Sequence, residues 1–583
     1  MDSGVAFKRR LYMPRTSMTT EGNRTGSWRF LRPRYEEKTS PCSAACPVGE
    51  DIPRVEMLVT QGAFKEAWET ILLENPLPGV CGRVCFHPCE GKCNRKDFDT
   101  PVAIHTLERF LSDTAFRNET KPVLPRRPPT GKRVAVVGSG PAGLSAAWFL
   151  TILGYECDVL EAMEEAGGLL RWGIPEYRLP RSELQREIGR IVDEGVRIHT
   201  GERVKKERFE ELRTRYDALL LGCGLWKNRP LGISGEDVPG VEDGLTFLRR
   251  VRGGERPAVG GVNAIIGGGN TAVDVARSVV RLGGEAVIVY RRRREDMPAF
   301  FEEIEGALEE GVEIKELLAP SSIAARNGGL VLTLRRMMIE GKDKDGRGRI
   351  VPAGTETLSL EVARVFVATG ADTAETWHLP PAGNDKTIRL SRCLLSFEEG
   401  VPVAYVGDLA GGDLNVTAAI ASGKEAVMAL DSYFKGGCGT ILEDLSSCRV
   451  GDGTSLSMEI YLGGARKARS RHVVTYEEIN TDYFSFEPRI TQPRLLPDER
   501  RLSFDEIEMK LSAGTAMREA GRCFNCGICN GCDNCWLYCP DVAVIRQRRS
   551  GERLIDYNYC KGCGLCVVEC PRNAMALEEE GGS

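Results

Sequence analysis

Two hydrophobic periods alternate along the chain. Between residues 41 and 115, stretches such as IPRVEMLVTQGAFKEAWETILLEN repeat apolar residues at helical spacing, which predicts an all-helical segment. A Pro-rich stretch, KPVLPRRPPTGK (121–132), ends that pattern. A short continuous apolar run, VAVVG, follows it and leads through a glycine turn into the helical pattern LSAAWFL. A second strand, glycine turn and helix begins at Asn263, and glycine-terminated apolar runs recur at LLLGCG and VFVATG. From Gly436 to about Met517 the pattern is polar, with scattered strands and one helical run, FDEIEMKLSAGTAMREAG. The expected organisation is a basic tail (1–40), a helical domain (41–120), a nucleotide domain in two parts (128–240 and 366–435) around a second one (241–365), a linker region (436–517) and a Cys-rich module (518–580).

Composition narrows the class. With 583 residues the chain should hold roughly four domains or sub-domains. Its 42% hydrophobic and 28% charged content, with 65 glycines against 30 prolines, excludes fibrous and disordered chains. A net charge of −5 argues against nucleic acid as a main partner. Residues 1 to 34 depart locally, with eight Lys or Arg against Asp2 and Glu21, and read as a solvated tail or a docking arm for an acidic subunit. The best uninterrupted apolar stretch, Ala218 to Trp226, contains two glycines and falls short of the ~18 to 20 residues of a spanning helix. No membrane segment is expected.

The glycine turns carry specific chemistry. Gly138, Gly140 and Gly143 let the backbone approach a pyrophosphate seated on a helix N-terminus, and Glu161, ending the next strand, should accept the ribose hydroxyls. In the second unit Gly267, Gly269 and Ala272 form a G-x-G-x-x-A turn, and the strand AVIVY ends in Arg291-Arg292-Arg293-Arg294 rather than an acid. Guanidinium groups there can hold a 2′-phosphate, so NADP(H) is expected over NAD(H). Asp408 follows a strand and precedes a helix starting near Asn415, where a carboxylate can meet a ribityl chain.

Of 21 cysteines, sixteen fall in two windows, Cys42 to Cys93 and Cys523 to Cys570. In a long chain that opens without a secretory h-region, these read as reduced metal ligands in the cytoplasm. Cys529, Cys532, Cys535 and Cys539 before Pro540, then Cys560, Cys563, Cys566 and Cys570 before Pro571, repeat the two-cluster ferredoxin run, in which the fourth Cys of each run ligates the other cluster. One [4Fe-4S] cluster should therefore take Cys529, Cys532, Cys535 and Cys570, and the other Cys560, Cys563, Cys566 and Cys539. In the first window Cys42 and Cys46, then Cys81, Cys85, Cys89 and Cys93, are spaced at x3, as if on one helix face; spacing alone leaves cluster and zinc open. His87 reads as a local hydrogen-bond donor, and Cys157 and Cys223 as packed strand residues.

The ordered set CSAACPVGEDIP, NPLPGVCGRVCFHPCEGKC, VAVVGSGPAGLSAA, GGLLRWGIPEYRLP, IIGGGNTAVDVAR, YRRRREDMPA and YVGDLAGG resembles the glutamate synthase small-subunit family. That family includes the flavin-bearing part of dihydropyrimidine dehydrogenase and the large subunit of the NADH-dependent ferredoxin:NADP oxidoreductase. The resemblance covers roughly residues 41 to 435. It implies a multidomain α/β chain: an N-terminal helical iron-sulfur domain, two nested Rossmann-like domains for FAD and NADPH, and, as in electron-transfer members, a C-terminal α+β 2[4Fe-4S] ferredoxin domain. Gly168, Arg178 and Thr417 then join the expected flavin contacts, and Asn270 those of NADPH.

The family usually has a Cys pair shortly before the position of Cys42, where this chain has RPRYEEKTSP. MREAGRCFNCG looks like that pair displaced, so Cys523 and Cys526 are expected to fold back and join Cys42 and Cys93. The relatives' pattern assigns a further cluster to Cys46, Cys85, Cys89 and Glu108, with Cys81 a bystander. Four clusters in all are expected. The implied function is an electron-transfer flavoprotein subunit between NADP(H) and a ferredoxin or a catalytic subunit such as a 2-oxoacid or aldehyde oxidoreductase, with no acid or base side chain required. A glutamate synthase small subunit and a non-catalytic zinc-binding scaffold are the alternatives.

Overall fold

The expected strands that run into glycine turns lie in two sheets, one mixed and one all-parallel. The computed structural model describes residues 22–326, 328–342, 348–379, 386–397, 400–547 and 552–580; residues 1–21 of the expected basic tail lie outside the described residues. Strand Arg133–Val137 pairs in parallel with Glu156–Leu160 and Ala218–Leu221, and the sheet continues to Arg197–His199 on one side and Val403–Tyr405 on the other. Two antiparallel strands, Leu394–Ser396 and Thr387–Arg389, complete its seven. The chain leaves this sheet after Leu221 and returns at Thr387. Between them it forms a five-stranded parallel sheet centred on Val262–Ile266. Both sheets follow from apolar runs that are buried on two faces. A three-stranded antiparallel layer, Leu318–Arg326, Gly329–Lys342 and Gly348–Val362, was not foreseen; Leu330, Leu332 and Leu334 pack it on Ile266 and Val289.

The N-terminal segment is helical, as its period implies: Pro41–Ala45, Ile52–Thr60, Phe64–Leu72, Pro78–Val84, Pro88–Gly91 and Ile104–Arg117. One core joins these helices to the first nucleotide sheet. Its axis is the helix Val416–Gly436, which lies along Pro141–Ile152, the helix of the first glycine turn. A side chain at Gly423 would meet the carbonyl of Ala142 at 2.3 Å, so glycine permits the close approach. One turn's neighbour, Lys424, reaches across to the Glu74 carboxylate at 2.7 Å and also donates to the carbonyl of Val48, tying the sheet domain to the helical domain through a buried ion pair. No helix among the described residues is long and apolar enough to cross a membrane.

Four local expectations need correcting. The described part of the basic tail is a structural element: Leu31–Tyr35 pairs antiparallel with Met575–Glu579 at the other end of the chain. Arg32 and Arg34 meet Glu578 at 2.5 and 2.9 Å, and Arg29 pairs with Glu580, so the tail's positive charge is matched by the acidic C-terminal strand. The linker region 436–517 is held in place along its length: Arg466 meets Glu74, Ser470–Val473 pairs with Lys38–Thr39, Arg500 meets Glu309 and the Ile507 amide bonds Tyr177. The helix foreseen across FDEIEMKLSAGTAMREAG spans only Ala513–Gly521, because Ser512 caps it by accepting from the Thr515 amide. The x3 cysteines do not share one helix face. Pro88 starts a new helix, and His87 before it takes a left-handed φ of 51°, breaking the path between Cys85 and Cys89.

The short helix Ala513–Gly521 packs on Ile52–Thr60 and delivers Cys523 and Cys526 to the N-terminal domain. Arg522, fully buried, holds it there, donating to Glu519 at 2.6 Å, to the carbonyl of Thr100 at 2.6 Å and to Asp99 at 3.1 Å. Glu519 also accepts from the Ala103 amide at 2.8 Å. Removing one partner of a buried pair costs about 3–5 kcal/mol. Arg522→Ala should therefore loosen this docking and speed limited proteolysis between residues 500 and 530; a cleavage pattern equal to the parent's would contradict the anchoring role.

Candidate functional site

The first glycine turn is shaped by close contacts. Gly138 has φ 101°, and a side chain there would meet the carbonyl of Gly222 at 2.5 Å; one at Gly143 would meet the carbonyl of Gly138 at 1.9 Å. Gly140, by contrast, faces open space. That space is a cavity of about 370 Å³, whose wall includes Gly138, Gly140, Glu161, Gly168, Arg178, Asn270 and Asp408. Seven of the expected nucleotide residues thus face one cavity that runs from the first glycine turn to the start of the second unit's helix.

Glu161 also braces the turn. Its carboxylate accepts from the Ser139 amide at 2.9 Å, from the Ser139 hydroxyl at 2.5 Å and from the Met163 amide at 2.8 Å. Asp408 sits in the turn Gly407–Ala410, and burial pushes its carboxyl pKa up, which suits a site where a ligand hydroxyl supplies the missing hydrogen bond. Helix capping is done by Asn415, which accepts from the Ala418 amide at 2.8 Å. Arg178 lines the cavity but its guanidinium is engaged by Asp274 at 2.9 Å and Glu303 at 3.0 Å, joining the flavin-side segment to the helix of the second unit.

Other expected residues lie off the cavity wall. Gly143 serves packing, Gly267 takes φ 149° at the second turn, and Gly269 faces open space. Arg291 is exposed, whereas Arg292 is buried and donates to the carbonyl of Gly348 at 3.1 Å. Thr417 is not on the wall itself; its hydroxyl lies 3.8 Å from the Cys85 sulfur. Cys223, expected to be a packed strand residue, sits just past the strand end on the cavity wall. Two further wall residues were not among the expected contacts. Val84, next to Cys85, brings the helical domain to the cavity, and Phe300, whose amide donates to Asn270, stacks on Phe86 with centroids 6.0 Å apart.

The cysteines converge in four groups. Cys42, Cys93, Cys523 and Cys526 crowd together, so that each ionised sulfur would repel the others, and Asn94 donates to the Cys526 sulfur at 3.5 Å. Cys46, Cys85 and Cys89 neighbour one another beside Glu108, with Cys81 and Glu50 in the same group. Glu108 is not free: Asn75 bridges its carboxylate and that of Glu50 at 2.7 and 2.9 Å, and burial together with Glu50 pushes its pKa well up. At the C-terminus a small cavity is walled by Cys529, Cys532, Cys535 and Cys570 together with Tyr35 and Met575. Cys539, Cys560, Cys563 and Cys566 form the remaining set. Burial raises the thiols of both N-terminal groups and those of Cys529, Cys535, Cys560 and Cys566, to about 12 for Cys85 and Cys566. Crowded sulfurs that are costly to ionise alone suit a cationic iron core that offsets their charge. Among the described residues no group of three His, Cys, Asp or Glu is arranged around a single metal ion.

Known proteins agree with this layout. Residues 35–120 match the family model described as dihydropyrimidine dehydrogenase domain II, 4Fe-4S cluster. Residues 132–383 match the pyridine nucleotide-disulphide oxidoreductase model, and residues 554–576 a 4Fe-4S binding domain. The NADPH-Fe(3+) oxidoreductase subunit beta of Geobacter sulfurreducens is 32% identical over 530 residues, covering 85% of this chain and 76% of that protein. The NADP(+)-dependent formate dehydrogenase subunit beta of Moorella thermoacetica is 34% identical, covering 84% and 70%. The glutamate synthase [NADPH] small chain of Azospirillum brasilense is 31% identical, covering 70% and 90%. The chain belongs to the family that these beta subunits and glutamate synthase small chains form.

Proposed function

We propose that this chain is the electron-transfer subunit of an oxidoreductase complex, linking NADP(H) through FAD to [4Fe-4S] clusters and from them to a partner. The observation that carries the reading is the junction of cavity and cysteines: Val84 lines the nucleotide cavity, and Cys85 beside it lies 3.8 Å from Thr417 at the start of the helix behind that cavity. Bound FAD supplies the exchange between a nicotinamide's hydride pair and the single electrons that cubane clusters carry. The chain's own residues position and enclose: Gly138 and Gly140 admit the pyrophosphate, Glu161 and Asp408 receive hydroxyls, and Arg178 fixes the two nucleotide domains against each other. No side chain need hold a reacting proton.

We assign one cluster to Cys46, Cys85, Cys89 and Glu108, and one to Cys42, Cys93, Cys523 and Cys526. The ferredoxin pair takes Cys529, Cys532, Cys535 and Cys570, and Cys539, Cys560, Cys563 and Cys566. All three relatives named above carry NADP in their names, two as beta subunits and one as a small chain. The partner here is then a catalytic oxidoreductase subunit or a free ferredoxin, in the cytoplasm, where the thiols stay reduced. A glutamate synthase small chain is the second reading, supported by the Azospirillum relative; co-purification with a glutamine-binding large subunit would favour it. A zinc scaffold would be colourless and would not pass electrons from NADPH to viologen.

Two measurements test the assignments. Anaerobic iron analysis should give roughly sixteen irons per chain, four per cubane, and the double variant Cys523→Ala, Cys526→Ala should lose about four of them; about twelve or fewer in the parent, or no loss in the variant, would remove the folded-back cluster. Arg291→Ala should raise KM for NADPH at least about tenfold, the worth of one charge-assisted hydrogen bond, and leave KM for NADH nearly unchanged. Equal effects on both coenzymes would remove the 2′-phosphate role.

A further inference from the structure

The strand Leu31–Tyr35 does more than close a sheet. Its last residue, Tyr35, is paired in register with Met575 and stands in the wall of the cavity formed by Cys529, Cys532, Cys535 and Cys570. The Tyr35 hydroxyl lies 3.3 Å from the Cys535 sulfur, within the reach of an O–H to sulfur hydrogen bond. Its placement is held from both sides. Arg32 and Arg34 grip Glu578 across the strand pair, and Lys38 beyond it donates to the Asn573 side chain at 2.7 Å and to the Met575 carbonyl at 3.1 Å.

We propose that Tyr35, contributed by the N-terminal arm some 500 residues away in sequence, is a positioning residue that raises the reduction potential of the ferredoxin cluster ligated by Cys529, Cys532, Cys535 and Cys570. The inference rests on the cluster assignment above. Reducing a cubane adds one electron, forms and breaks no bond, and increases the negative charge on its sulfurs. A donor aimed at one sulfur stabilises the reduced form more than the oxidised one, and hydrogen bonds to sulfur are among the factors that set cluster potentials. A tyrosine hydroxyl carries its proton at neutral pH, so Tyr35 faces the sulfur as a donor. One of its ligands, Cys529, follows Cys526 of the folded-back group by three positions. Tyr35 thus favours the electron's arrival in the ferredoxin domain, and makes that arrival depend on the arm being docked.

Tyr35→Phe removes one oxygen and keeps the ring in the cavity wall, so solvent access to the cluster is held constant. In the full chain with its clusters loaded, a potentiometric titration followed by electron paramagnetic resonance should show one cluster midpoint shifted negative while the others stay fixed and iron content is unchanged. Deuterium electron-nuclear double resonance on protein exchanged into heavy water should show the variant losing one exchangeable deuteron coupled to that cluster. Unmoved midpoints, or an unchanged deuteron signal, would overturn the role of Tyr35. Cys535→Ala separates this from the underlying assignment: retention of all iron and of every cluster signal in that variant would remove the cluster assignment itself.

Discussion

The structure depends on one close helix contact. Helix Val416–Gly436 can lie against Pro141–Ile152 only because Gly423 has no side chain to strike the Ala142 carbonyl. That contact sets the back of the nucleotide cavity, since the first turn of the same helix begins beside Asn415 on the cavity wall. It also sets the distance to the iron-sulfur domain. Thr417 faces Cys85 from one turn, and Lys424 reaches Glu74 from the next two. A larger residue at 423 would push the cavity and the cysteines apart together, because the helix is rigid over both.

Gathering the sulfurs is the second constraint, and it explains the long polar stretch that follows this helix. A cysteine group buried between segments needs each segment delivered and locked. The stretch 436–517 does this with side-chain anchors rather than with regular structure: Arg466 on Glu74, Arg500 on Glu309, and at its end Arg522 on Glu519, Asp99 and Thr100. Backbone amides are met by side chains as well, those of Met458 and Glu459 donating to Glu74 at 2.8 and 3.2 Å, so the segment is fixed without much secondary structure.

Some of this was legible in the sequence because it is written in local pattern. Glycine turns after apolar strands, the x2-x2-x3-Pro cysteine runs and the helical period of 52–72 are each set by neighbours a few residues apart. The pairing of Leu31–Tyr35 with Met575–Glu579 is different. Its charges are complementary, yet nothing local marks Arg32 as the partner of Glu578, so the strand read as a tail. Arg178 shows a related limit. It does line the cavity, but Asp274 and Glu303, which claim its guanidinium, come from the second unit. Thr417 meets Cys85 of a separate domain, a contact that no local pattern around Thr417 marks.

The charges at the domain junction carry a functional consequence. Arg83 meets Asp113 and Glu506, and Arg109 meets Glu506 and Glu508, joining the helical domain to the connecting stretch; Arg178 meets Asp274 and Glu303, and Arg277 meets Glu303 and Glu310, joining the two nucleotide units, and both sets line one small cavity. Such pairs add little net stability over an apolar interface, because desolvation offsets most of their attraction. What they add is geometry, since a guanidinium between two carboxylates tolerates few displacements. Hydride transfer needs reacting atoms about 3–3.5 Å apart, and a nicotinamide held by the second unit must meet a flavin held by the first. A greasy interface could slide by that much at small cost. The pairs of Arg178 with Asp274 and Glu303 resist such sliding, because a shift between the two units strands a buried charge.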